Sequence, residues 1–289
     1  MNNLKIRKKN LGPIYMIASS FFFALMAVFI RYTKDLPTFE QVVFRNLVIS
    51  VLMFALIVKE KRMQDMKVKD GKKEIFLRSL FGFIGMVCNF YAVKYLNIAD
   101  SSAIGKLSPF FVMIFAALLL GEKLEKHSII AIIFSIIGML MVVKPKFDGS
   151  MIPSLVAVAG AVSAGMAMAM LSSVGKKVRG EVIILYFGIF STLACIPFLI
   201  GNFVIPNGKE IVNLLMIGVS AGFGQFFLTL AYKSGKASEI AIYNFSQIIF
   251  SILIGYFLFQ EMTDFVSLAG MAIIILSAYY NYKRSIVYD

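Results

Sequence analysis

The chain has 289 residues, 59% of them hydrophobic and 16% charged, with a formal net charge of +13 and a mean hydropathy of +0.82. A soluble domain is about 45–50% apolar and about 25% charged, so a water-soluble protein is excluded. The positive balance could suit nucleic acid, but its distribution along the chain argues against that partner.

Runs of about 20 apolar residues read as membrane spans. Ten are predicted, at 11–33, 38–58, 75–95, 100–120, 127–144, 152–172, 182–201, 210–232, 237–258 and 264–282. They leave no room for a soluble domain, so residues 1–289 form a single membrane domain in an all-α fold. The first follows Lys5-Ile6-Arg7-Lys8-Lys9 and runs from Leu11 to Ile30. It is longer than the roughly 7–15 residue core of a cleaved signal peptide, and reads as a retained helix.

On the second span Gln41 and Arg45 stand one turn apart on one face. Arg45 lies seven residues past Thr38, about 10 Å in from that end at a rise of about 1.5 Å per residue. Gly82, Gly85 and Asn89 make a small-then-polar stripe on the third span. Ser102, Lys106 and Pro109 share a face of the fourth, with Lys106 as deep as Arg45. His127 begins the fifth. Ala161, Gly165 and Ala169 on the sixth allow close helix approach, beside an adaptable Met166, Met168, Met170 run. Pro109 and Pro197 each mark a bend inside a span. On the eighth, Gly218, Gly222, Gln225 and Thr229 repeat the third span's pattern. The ninth carries Tyr243, Asn244 and Gln247.

Charge placement orients these spans. With the N-terminus inside, the inner segments hold 20 Lys and Arg and the outer connections 6; Arg45, Arg78 and Lys106 fall within spans. That positive-inside bias puts both termini in the cytoplasm of a multi-pass plasma (inner) membrane protein. The lipid bilayer, not nucleic acid, is the partner of the basic residues.

The second half is a faint copy of the first. A shift of 139 residues lays Gly85 on Gly224, Ala92 on Ala231, Lys94 on Lys233, Asp100 on Glu239, Phe111 on Phe250 and Glu122 on Glu261. Each copy has five spans, at 11–144 and 150–282, and an odd number forces the copies into opposite orientation. Two inverted five-helix repeats are the architecture many secondary transporters use for alternating access.

Catalytic chemistry is hard to place. There is no HExxH, GxSxG or Walker A motif, and no span holds two Asp or Glu. Cys88 and Cys195 lie far apart, without metal-ligand spacing, and read as packing residues. No enzyme, cofactor or metal site is expected. A charge at the centre of the hydrocarbon costs from about 2.5 kcal/mol upward, so Arg45 and Lys106 face a cavity or else snorkel to the headgroups. The candidate substrate-binding residues are Arg45, Lys106, Asn89, Gln41, Gln225, Tyr243, Asn244 and Gln247. The 139-residue shift puts Ile184 and Phe245 opposite the two charges, which suits a role specific to the cargo.

The stretch Lys94-Tyr95-Leu96-Asn97-Ile98-Ala99-Asp100, then Leu107-Ser108-Pro109-Phe110 and Leu120-Gly121-Glu122-Lys123-Leu124, resembles the third-to-fourth helix signature of the EamA family, in the drug/metabolite transporter superfamily. Ile242-Tyr243-Asn244-Phe245-Ser246-Gln247 and Gln260-Glu261 resemble its second-repeat counterpart. Two departures, Ile248 for a proline and Gln260 for a glycine, predict a weaker bend in the ninth helix. The resemblance implies a ten-helix carrier of small organic metabolites. The expectation is therefore a secondary transporter of an amino-acid-derived or other carboxylate-bearing solute, working by alternating access as a facilitator or exchanger. It would act as a monomer or weak dimer. The alternatives are a proton-coupled multidrug or metabolite exporter, for which Glu239 is the residue to watch, and a structural membrane protein without cargo.

Overall fold

The computed structural model describes residues 11–121, 124–144, 151–174, 177–234 and 240–288. Glu122 and Glu239 lie outside them, as does the side chain of Lys233. The described residues include ten helical spans long and apolar enough to cross a membrane. Their helices are Leu11–Tyr32, Thr38–Lys59, Lys72–Tyr95, a fourth span split into Ile98–Gly105 and Ser108–Leu120, Lys126–Val143, Ile152–Val174, Gly180–Leu199, Gly208–Ser234, a ninth span made of the 3-10 turn Ala241–Phe245 and the helix Ser246–Phe259, and Phe265–Tyr288. The third begins three residues before the sequence reading. Lys72 and Lys73 continue the helix past the apolar run, because a solvated amine does not stop a backbone that is already hydrogen-bonded.

The connections alternate between two faces. On one, the basic face, Tyr186 donates its hydroxyl to the Met66 carbonyl (2.9 Å), Lys177 pairs with Glu74 (3.2 Å) and Arg179 with Glu60 (3.6 Å), tying 59–74 to the link between spans six and seven. On the opposite face the turns are tied in pairs. The Val204 amide donates to Glu40 (3.4 Å), the Ile98 amide to Glu261 (2.8 Å), and Lys144 pairs with Asp264.

Packing follows the repeat. The third span lies on the sixth and the eighth on the first; the fourth lies on the sixth and the ninth on the first; the second meets the seventh, and the fifth the tenth. Exchanging the two five-span halves maps this set of neighbours onto itself. Small residues set the tightest approaches. A Cβ on Gly138 would meet the Gly270 carbonyl at 2.7 Å, and one on Gly270 the Gly138 carbonyl at 2.6 Å, so spans five and ten touch backbone to backbone. Such contact replaces the hydrophobic drive that apolar lipid cannot supply between helices.

The breaks follow the repeat too. Span four is interrupted at Lys106–Leu107, with Pro109 in the first turn of the second piece, and span nine changes from 3-10 to α-helix at Phe245–Ser246. Position 245 is 106 shifted by 139. The ninth span, for which Ile248 in place of a proline predicts a weaker bend, is still interrupted, because a change in hydrogen-bond register needs no proline. Pro197 falls in the last turn of its helix, which ends at Leu199.

Candidate functional site

The broken spans meet at a polar cavity of about 150 Å³. Lys106, Ser102 and Ser108 come from the break in span four, Asn244 and Gln247 from span nine, and Asn89 from span three. Phe23, Met26 and Ala27 of the first span close one wall. The Lys106 ammonium donates to Asn244 Oδ1 (2.8 Å), and the Ser20 hydroxyl reaches the same oxygen at 3.4 Å. Ser102 and Ser251 share a buried hydroxyl contact of 2.6 Å that holds the two broken spans together. No carboxylate lines this cavity among the described residues, so the lysine meets a neutral amide where a counter-ion would stabilise it better.

A second, more apolar cavity of about 440 Å³ shares Ser108, Pro109 and Asn244 with the first. It extends past Met113 and Met168 to Asn281, Tyr282 and Ser285 at the end of span ten, toward the basic face. The opposite face is cross-linked by side chains. Arg31, at the end of span one, pairs with Glu261 (2.9 Å), donates to the Leu96 carbonyl and lies 5.8 Å from the Phe259 ring centroid. Glu261 in turn accepts from the Ile98 amide at the start of span four. Three spans are thereby latched around one carboxylate, and the Lys94 ammonium adds a bond to the Leu36 carbonyl.

Four of the residues singled out by sequence converge in the polar cavity: Asn89, Lys106, Asn244 and Gln247. The others sit elsewhere. Gln41 is fully buried and donates to Ile30 and Thr33 carbonyls (3.0 and 2.7 Å), so it caps the first span and gives Arg45 no polar path outward. Arg45 bonds Asn46 Oδ1 (2.8 Å), and its guanidinium lies 5.9 Å from the Phe187 ring centroid. Phe187 is seven residues into its helix from the basic face, so the Arg45 head turns into the bundle and does not snorkel to the nearer end. Gln225 does not line the polar cavity; its carbonyl accepts from Thr229 (2.8 Å). Tyr243 is 40% exposed, outside that lining. The residues missed, Phe23, Met26, Ala27 and Val93, are ordinary apolar residues on apolar helices and carried no signal.

The model of the EamA-like transporter family matches the chain twice, over residues 10–144 and 151–282. The chain belongs to the EamA-like transporter family. Its EamA relatives include the pseudopaline exporter CntI of Pseudomonas aeruginosa, 29% identical over 92% of this chain and 94% of that protein. The solute carrier family 35 member G1 of Mus musculus is 26% identical over 92% of this chain and 77% of its own length. The S-adenosylmethionine uptake transporter of Rickettsia prowazekii is 25% identical over 86% and 85%. A solved crystal structure superposes with a TM-score of 0.69 over 93% of this chain and 96% of the other, at 17% identity, and shares the fold. The protein is a multi-pass membrane transporter and not an enzyme.

Proposed function

We propose that this EamA protein is a secondary transporter for a small organic metabolite bearing a carboxylate or similar anionic group, bound in the polar cavity at the breaks of spans four and nine. One membrane domain holds two inverted repeats, 11–144 and 150–282, with the basic face and both termini in the cytoplasm. The observation that carries this reading is Lys106, a cation whose polar neighbours among the described residues are amides and hydroxyls, in a cavity beside a wider path. An unneutralised positive charge in a low-dielectric pocket favours an anion. The 440 Å³ cavity would serve as the cargo's way in from the basic face, while the Arg31–Glu261 latch closes the other side.

Relatives named for export and for uptake fit a carrier whose direction follows its gradient. The carrier is read as a facilitator or exchanger because neither cavity is lined by an acidic or histidine side chain among the described residues, which do not include Glu239. The test is thermal stabilisation of the purified protein by a panel of amino acids, nucleosides, vitamins and organic acids, since a ligand that binds only the folded state raises its stability. Hits confined to anionic compounds and lost in Lys106→Gln support the proposal. Hits confined to cations support the multidrug alternative, and no hits together with no liposome uptake support the structural one.

A further inference from the structure

A second group of unneutralised cations lies where spans two, three and seven converge. Arg45 and Arg78 place their guanidinium carbons 5.9 and 4.8 Å from the centroid of the same buried ring, Phe187. Neither forms an ion pair among the described residues. Arg45 has one hydrogen bond, to the Asn46 amide oxygen, and Arg78 rests on the ring alone. The Nε atoms of both arginines and the Nδ2 of Asn46, itself fully buried, are sequestered with no acceptor. The orphaned groups at this cluster are donors, and the two nearest charges are alike in sign.

Room for the cluster is built into the helices. A Cβ on Gly82 would lie 2.1 Å from the Arg78 guanidinium and 2.9 Å from the Phe187 ring, so the glycine is the notch that receives the stack. As whole residues, Arg45 and Arg78 are half-buried. An aromatic face attracts a cation, but it accepts none of the guanidinium hydrogens in a planar, two-pronged bond. The fork geometry of arginine matches a carboxylate.

We propose that Arg45 and Arg78, held around Phe187, form a second anion subsite that takes a second carboxylate of the same cargo, making the protein a carrier selective for di- or polycarboxylates. This rests on the reading of the Lys106 cavity as the cargo site. Two cation clusters, one on the broken spans and one on spans two, three and seven, would grip opposite ends of a solute that neither could discriminate alone.

The test uses the purified full-length protein and three probes, acetate, succinate and citrate, with binding read as thermal stabilisation across a concentration series. Wild type is expected to bind succinate and citrate at least on the order of tenfold more tightly than acetate, the size of one added charge-assisted contact. In Arg45→Gln and Arg78→Gln that preference collapses while acetate binding persists; in Lys106→Gln the affinity for all three falls. Arg78→Lys keeps the charge without the fork, so it tests a folded cation at the site, and a reduced but surviving preference is expected. A preference unchanged in both Gln variants overturns the second subsite while a loss in Lys106→Gln keeps the first. No response of wild type to any probe overturns both. A parallel series with phosphatidylglycerol mixed micelles separates a lipid phosphate: stabilisation by that lipid lost in Arg78→Gln, with the succinate preference intact, would assign the arginines to a headgroup and overturn the cargo subsite.

Discussion

Gln260 shows how one residue can be read two ways. It stands where the first repeat has Gly121, and both occupy the left-handed region, at φ 54° and 71°. Its amide bonds the Tyr256 carbonyl (3.2 Å), the bond of an αL helix end that ordinarily carries glycine, and the next amide bonds the Gly255 carbonyl (2.9 Å). The fold is kept, and the cost is borne as backbone strain, roughly 1–2 kcal/mol for an L-residue in this region. Gln260→Gly is therefore expected to raise stability by about 1 kcal/mol, seen as a higher unfolding midpoint; an unchanged or lower midpoint would show that the side chain compensates. Nearby, the Lys144 hydrogen bond holds the Asp264 carboxyl down at about 2, well under its ordinary value of 3.8. A depressed acid stabilises the fold above its unfolded value and loses that contribution only as pH falls from about 4 through about 2. Between pH 5 and 8 this pair is constant, so Asp264→Asn should leave the pH profile of transport there unchanged.

At the scale of elements, the helix end at Gln260 has a purpose: it aims Glu261 at Arg31 and at the amide that starts span four. The carboxylate acts at a helix N-terminus, where negative charge is favoured. Glu261→Gln should weaken this latch and raise the share of molecules open on that face. With the native Cys88 and Cys195 replaced by alanine and Val93→Cys introduced at the cavity wall, labelling by an impermeant maleimide from the Arg31 side should speed up in Glu261→Gln. An equal rate in both backgrounds would remove the latch. Spans five and ten make a different prediction. Their backbones touch at Gly138 and Gly270, so Gly138→Leu should destabilise by about 1–3 kcal/mol or more through overpacking, measured by unfolding of the purified protein.

Over the whole molecule, much of this order could be read from the residues. Apolar runs set the ten spans, and the 139-residue shift agrees with the packing, since exchange of the halves preserves the set of neighbours. Lys106, Asn89, Asn244 and Gln247 were visible as polar residues that hydrocarbon does not tolerate without a cavity. The fate of Gln41 was not, since an amide that caps a neighbouring helix and one that faces cargo look alike at i, i+4 spacing. Arg78, though noted within a span, is not among the candidate residues for a related reason: about 9 Å from a helix end, it resembles a snorkelling residue until Phe187 is seen beside it.

Flux through the Lys106 cavity joins these scales, and proteoliposomes can measure it without an imposed pH gradient, using the strongest anionic hit from the stabilisation panel as the labelled cargo. Wild type should equilibrate the cargo across the membrane, and Lys106→Gln should slow that flux on the order of tenfold or more while remaining folded. Equal flux in the two proteins, or accumulation above equilibrium once a pH gradient is applied, would contradict a facilitator that recognises its cargo through Lys106.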